Sequence, residues 1–158
     1  MKNTFKRSGA ALISLVLLLV LAVSAGAASS QNVGVKFWKE RSDKESMANS
    51  GIDPDRTATL TRQANGTYTL TLPVTQVSKL GVTGYLSGLT IGDVTYDGTL
   101  TGDFNKATAV LTIKNLPASV ITGSDVNKSV LVTCNIQMDL QVLGEINTSA
   151  RMCIWNQK

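Results

Sequence analysis

From residue 132 to 142 the chain alternates without a break. Val132, Cys134, Ile136, Met138, Leu140 and Val142 fall on one face, and Thr133, Asn135, Gln137, Asp139 and Gln141 on the other. A period of two marks a strand with one face in a core and the other in water. Shorter versions recur at Val33, Val35 and Phe37, and over 57–63, 67–74, 82–91, 93–96, 107–113 and 149–155, with a further short piece around Val120. Asp97-Gly98, Gly102-Asp103, Pro117 and Gly123 read as the breaks between them. No window offers ten residues of helical periodicity. About seven or eight short strands separated by turn signals predict an antiparallel β-sandwich.

Two hairpins fix the expected register. Across Ala64-Asn65-Gly66, a two-residue turn would put the apolar residues of the two strands on opposite faces. A three-residue loop with Gly66 in the left-handed conformation pairs Leu60 with Leu70 and Ala58 with Leu72 instead, so burial selects it. Near the C-terminus, a hairpin folded about the bond between Leu143 and Gly144 sets Cys134 opposite Cys153, close enough for a disulfide. In that register Thr148, Ala150, Met152 and Ile154 face outward. Arg151 then points inward near the hairpin end, toward Glu145 at the rim or toward a carboxylate of a bound ligand.

The first residues tell where the chain goes. Lys2, Lys6 and Arg7 precede an apolar run from Ala10 to Val23, and Ala25-Gly26-Ala27 offers small residues for cleavage. This predicts a signal peptide over 1–27 and a single exported domain over 28–158. The run is shorter than the roughly 20 residues that span a bilayer, which disfavours the competing reading of a retained membrane anchor. Loss of the leader leaves twelve basic residues against eleven acidic ones, a net charge near +1. With no basic stripe left, nucleic acid is not an expected partner.

The chain contains no histidine. Serine and cysteine nucleophiles therefore lack their usual base, and histidine metal sites cannot be built. Asp53-Pro54-Asp55 holds two carboxylates but lacks the further oxygen ligands of a calcium loop, so it reads as a turn. No enzyme is expected.

The stretch "KFWKERSDKESMANSGIDPDRTATLTRQANGTYTLTL" resembles the opening of a NEAT (near transporter) domain, the immunoglobulin-like haem-binding module of Gram-positive surface and secreted proteins. Ser46, Met47, Ala48 and Asn49 match the family's short 3₁₀ helix after the first strand. Ala58, Leu60, Asn65, Gly66, Thr67 and Tyr68 match the hairpin that follows. The resemblance covers the first 60 or so residues after the leader, and the remainder only in strand count and closing hairpin. It implies an immunoglobulin-like sandwich that takes haem between the helix of residues 46–51 and the last hairpin.

The family's Tyr-x-x-x-Tyr iron-binding motif is missing, since no tyrosine follows Tyr96. Thr148 and Met152 stand at the corresponding positions, with Ile154 beside them. A thioether is a competent axial ligand to haem iron, so Met152 and Met47 are the candidate iron ligands. Met47 has a second reading, as a plug over the end of the core. Trp38 and Trp155 read as core or core-edge residues. Two functions follow: a secreted module that receives and passes on haem, with haem or a haem-carrying protein as partner, or an exported binding domain that contacts protein or cell wall and has lost haem.

Overall fold

The computed structural model describes residues 28–79, 82–139 and 144–157; the signal-peptide expectation over 1–27 lies outside them. Strand β1 (Ser29–Lys39) carries Val33 and Phe37 into the core, as its alternation requires. Its first part pairs with β2 (Ala58–Arg62) and its second with β9 (Glu145–Asn156), both antiparallel. The same division of labour recurs in β6 (Val94–Thr101), which pairs first with β5 (Val82–Ile91) and then, from Gly98 on, with β7 (Val110–Leu116).

These two switching strands account for the main departure from expectation. In a sandwich the two sheets stay separate, but a strand that changes partner halfway makes a corner between them. With β1 and β6 both acting as corners, and with β3 (Tyr68–Pro73) and β8 (Val130–Met138) completing the walls, the order β5-β6-β7-β3-β2-β1-β9-β8 closes on itself through β8 and β5. The architecture is a closed eight-stranded antiparallel barrel, not the open immunoglobulin-like sandwich. A ninth short strand, β4 (Val77–Lys79), lies along the start of β5.

Gly98 shows why β6 runs longer than its sequence indicates. Asp97-Gly98 reads as a break, yet a Cβ on Gly98 would stand 2.3 Å from Leu111 Cδ1 and 2.7 Å from the Ser87 carbonyl oxygen. The glycine permits close backbone approach where β6 leaves β5 for β7. Val120, expected in a strand, belongs instead to a 3₁₀ turn, Ala118–Val120, with its side chain fully buried.

The β2–β3 hairpin has the expected register, with Leu60 opposite Leu70. Gly66 takes φ +83°, and Asn65 Oδ1 accepts from the Thr67 amide at 3.0 Å. Leu60, Leu70 and Leu72 are all fully buried. Each contributes about 1.5–3 kcal/mol by leaving water.

The C-terminal hairpin does not follow the expected register. Cys134 lies opposite Thr148, and Val130 opposite Met152, a displacement of five residues from the register that pairs the cysteines. The Met138 amide donates to the Gly144 carbonyl at 3.0 Å, and residues 140–143 between them lie outside the described residues. An odd displacement turns the strand over. Ala150, Met152 and Ile154, expected outside, therefore point into the core and are fully buried.

No disulfide joins Cys134 and Cys153, and both are free and buried. Five residues of strand separate Cys153 from the partner of Cys134, about 17 Å at 3.3 Å per residue. The two thiols also lie on opposite faces of the wall. Cys134 belongs to the core, while Cys153 lies beneath a segment strapped across the outside, where Thr122 and Gly123 both donate to the Ile154 carbonyl at 3.1 Å. The Cys153 thiol sits 3.6 Å from the Asp125 carbonyl oxygen.

Candidate functional site

Beyond Val33, β2 no longer covers β1, and the strand would present open backbone groups. The chain fills that edge itself. After Lys39 it turns back, with Trp38 bridged to Glu45, and enters a 3₁₀ helix, Met47–Gly51. Ser46 caps it, its hydroxyl accepting from the Ala48 amide at 3.3 Å, a standard use of serine at this position. Asn49 then bonds the backbone of Phe37 twice, donating to its carbonyl at 2.7 Å and accepting from its amide at 2.8 Å.

Ala48 and Gly51 are the residues this helix buries, so they seal the end of the core. Met47 is 52% exposed on the other side of the helix and is not a plug. Ser46 is a buried cap and Asn49 a half-buried clamp.

The helix lies beside the mouth of the barrel. A Cβ on Gly51 would stand 3.2 Å from Val77 Cγ2; Val77 lies opposite Gly84, and Gly84 opposite Met138. Past Cys134, the inward face of β8 continues as Ile136 and Met138, both half-buried. Ile136 lies between Leu86 on β5 and Ile146 on β9, which is 43% exposed. Gly84 has no side chain to spare, since its Cβ would meet Met138 Sδ at 2.8 Å. Leu86, Ile136, Met138, Ile146 and half-buried Thr148 thus form an apolar mouth, with the Met47 helix along one side and the β8–β9 hairpin along the other.

Of the residues expected at the site, Ser46, Met47, Ala48, Asn49 and Thr148 are found around this mouth. Met152 and Ile154 are not. Met152 lies opposite both Phe37 and Val130 with no exposed surface, so the expectation that it ligates haem iron is corrected by the register change. Ile136, Met138 and Ile146 escaped the sequence reading. The first two were visible as inward positions of the long alternation, but Ile146 is hidden unless the register is known.

Arg151 is also corrected. It faces outward, donating to the carbonyls of Lys39 at 3.1 Å and Ser42 at 3.0 Å, and its guanidinium pairs with Asp43 at 2.7 Å. It pins the loop before the 3₁₀ helix. Glu145 instead lies 3.4 Å from the Ser87 hydroxyl. Trp38 is half-buried on the same outer face, with the Lys36 ammonium 4.6 Å from its ring centroid. Trp155 is half-buried over Gly34, where a Cβ would collide with its ring at 2.3 Å.

The other titratable features are structural. Burial pushes the Cys134 thiol up to about 12, so it stays protonated. Asp53 is held below its ordinary value by the Arg56 side chain at 2.8 Å and then by the Asp55 amide at 3.0 Å. Arg56 also donates to the Ala109 carbonyl, so Asp53-Pro54-Asp55 forms the expected turn and ties it to the start of β7. Nearby, a depression of about 160 Å³ runs between Ile52, Pro54, Arg56, Gly34 and Trp155. That is below the roughly 300–1,000 Å³ of small-molecule pockets. Among the described residues, no three histidine, cysteine, aspartate or glutamate side chains gather to hold a metal ion, and no helix is long and apolar enough to cross a membrane.

Fold and mouth together define a closed antiparallel barrel with a 3₁₀ lip over an apolar opening. Among solved structures, the barrel is similar to the NEAT5 domain of IsdX2, a B. anthracis hemophore, in complex with heme. The likeness has a TM-score of 0.53 at 11% identity, over 84% of this chain and 99% of that one. A mutant of the same domain with heme matches with the same TM-score, identity and coverage. At this identity the likeness speaks for the fold alone. No family model matches the sequence, and no curated protein matches it.

Proposed function

We propose that the protein binds haem at the barrel mouth, between the Met47–Gly51 helix and the β8–β9 hairpin, as an exported haem-binding and haem-transfer module. The observation that carries this reading is the row Leu86, Ile136 and Ile146, an apolar strip that becomes progressively more exposed beside an outward-facing methionine. A strip of this kind suits the flat hydrophobic face of a porphyrin, while the polar rim of Asp139, Thr83 and Gln76 leaves its carboxylates in water. Similarity to a hemophore domain in complex with heme supports the same choice. Haem, or a carrier that delivers it, is then the partner, and the predicted leader places the exchange outside the cytoplasm.

A haemin titration followed by its Soret band tests the reading. Saturation at one equivalent is expected, with binding at least tenfold weaker in Ile146→Asp. The absence of any saturable change, in the Soret band or in quenching of the protein's tryptophan fluorescence by haemin, would end it.

A second reading, an exported domain that contacts protein or cell wall, rests on the outer face. There Leu131 is 57% exposed opposite Arg151.

A further inference from the structure

The side chains around the mouth bear on how a tetrapyrrole would be held, and the inference rests on the proposed haem reading. Protein ligands to haem iron are imidazole, phenolate, thiolate and thioether. The chain has no imidazole. None of its three tyrosines points into the mouth. Tyr68 begins β3 at the far end of the barrel, beside the Ala64-Asn65-Gly66 loop, and packs on the core. Tyr96 lies opposite Leu89, in the half of β5 away from Gly84, and also packs on the core. Tyr85 is the closest along the chain, but it alternates with the inward Gly84 and Leu86. It therefore faces outward, with its ring 5.5 Å from that of Phe104.

The thiols are no more available. Cys134 lies one step inside the mouth, opposite Thr148, but is fully buried, and burial keeps it protonated. Cys153 is on the outer face under the strap. Residues 80, 81 and 140–143, outside the described structure, are Leu, Gly, Leu, Gln, Val and Leu, and add no such group. What remains is apolar surface and the thioethers of Met47 and Met138, whose soft sulfur holds ferric iron more weakly than imidazole or phenolate does.

We infer that the mouth holds its tetrapyrrole by the macrocycle and not by the iron. Ferric haem and iron-free protoporphyrin IX then bind with nearly equal affinity. The binding free energy comes from burying the ring against the exposed parts of Ile136, Met138 and Ile146, and that contribution is the same with or without metal.

The test is a pair of equilibrium titrations of the purified protein, one with haemin and one with protoporphyrin IX, using absorbance and porphyrin fluorescence. Dissociation constants within about threefold of one another, both raised by a similar factor in Ile146→Asp, are expected. Haemin binding more than tenfold tighter than protoporphyrin would overturn the inference, because it requires an iron ligand, while leaving the proposed haem function standing. A protein that binds neither would remove both.

Discussion

Asn49 and Phe37 are twelve residues apart in the chain and joined by two hydrogen bonds through a single side chain. The carboxamide does for Phe37 what a neighbouring strand would do, on the stretch of β1 that β2 no longer covers. The lip of the mouth is therefore fastened to the barrel wall through this side chain, with the Ser46 amide also donating to the Phe37 carbonyl at 2.9 Å and the Thr75 amide to the Gly51 carbonyl at 3.0 Å.

Replacing that residue loosens the lip. Asn49→Ala leaves a backbone amide without its partner, and a group of this kind costs about 1–3 kcal/mol when buried. Urea unfolding should show a loss of that order. Asn49→Asp keeps the acceptor for the Phe37 amide but loses the donor to its carbonyl, so it too should be less stable than wild type. Unchanged midpoints in both variants would mean that the helix is held by other contacts.

The two methionines of the original expectation should behave in opposite ways. Met152→Ala removes a fully buried side chain between Phe37 and Val130, for which about 2–5 kcal/mol is usual. Met47→Ala changes a half-exposed position and should alter stability by no more than about 0.5 kcal/mol. Thermal unfolding separates the two. Similar losses in both would contradict the observed register of β9.

Asp53 gives stability a dependence on acid. Its folded pKa is below its unfolded one, chiefly through Arg56, so the contribution is fully present above the ordinary aspartate value, about 4. It disappears as pH falls through the lower, folded value. Wild type should therefore lose stability relative to Asp53→Asn on acidification below about pH 4, and the two curves should converge. A constant gap across that range would remove the ion pair from the account.

Because the thiols sit on opposite sides of the wall, reductant should be inert. Unfolding midpoints with and without dithiothreitol should coincide, and denatured protein should react with two equivalents of thiol reagent. Native Cys134, buried and protonated, should label slowly. A midpoint that falls on reduction would restore the disulfide.

The contrast between the two hairpins shows what was legible in the sequence. At Ala64-Asn65-Gly66 the turn residues and the burial pattern agree, because only one loop length puts Leu60 and Leu70 on the same face, and the structure has that pairing. At the second hairpin, Leu143-Gly144 reads as a tight turn, and nothing local to β9 opposes a displacement: Cys153, Met152 and Ile154 are all small or apolar enough to be buried. Their burial is decided by the outer strap over Cys153 and by β1 beside Met152, both remote in sequence. The 3₁₀ lip was legible from Ser46 to Asn49, whereas the mouth it guards was only half visible, since Ile146 depends on the register. The partner changes of β1 and β6 leave no trace in alternation, because a strand keeps its period of two whichever neighbour it pairs with.

Closure of the ring through β5 and β8 bears on how the protein behaves at high concentration. An open sandwich ends in strands whose free amides and carbonyls can recruit a foreign strand and seed aggregates. Here β5 meets β8 along most of its length, β4 occupies the start of its other side, and the Asn49 clamp covers the exposed stretch of β1. Few unsatisfied rows are left to act as templates in a crowded medium. Damage at the irregularity between Leu86 and Gly88, where the two strands shift register, would reopen such a row and should show itself as loss of solubility.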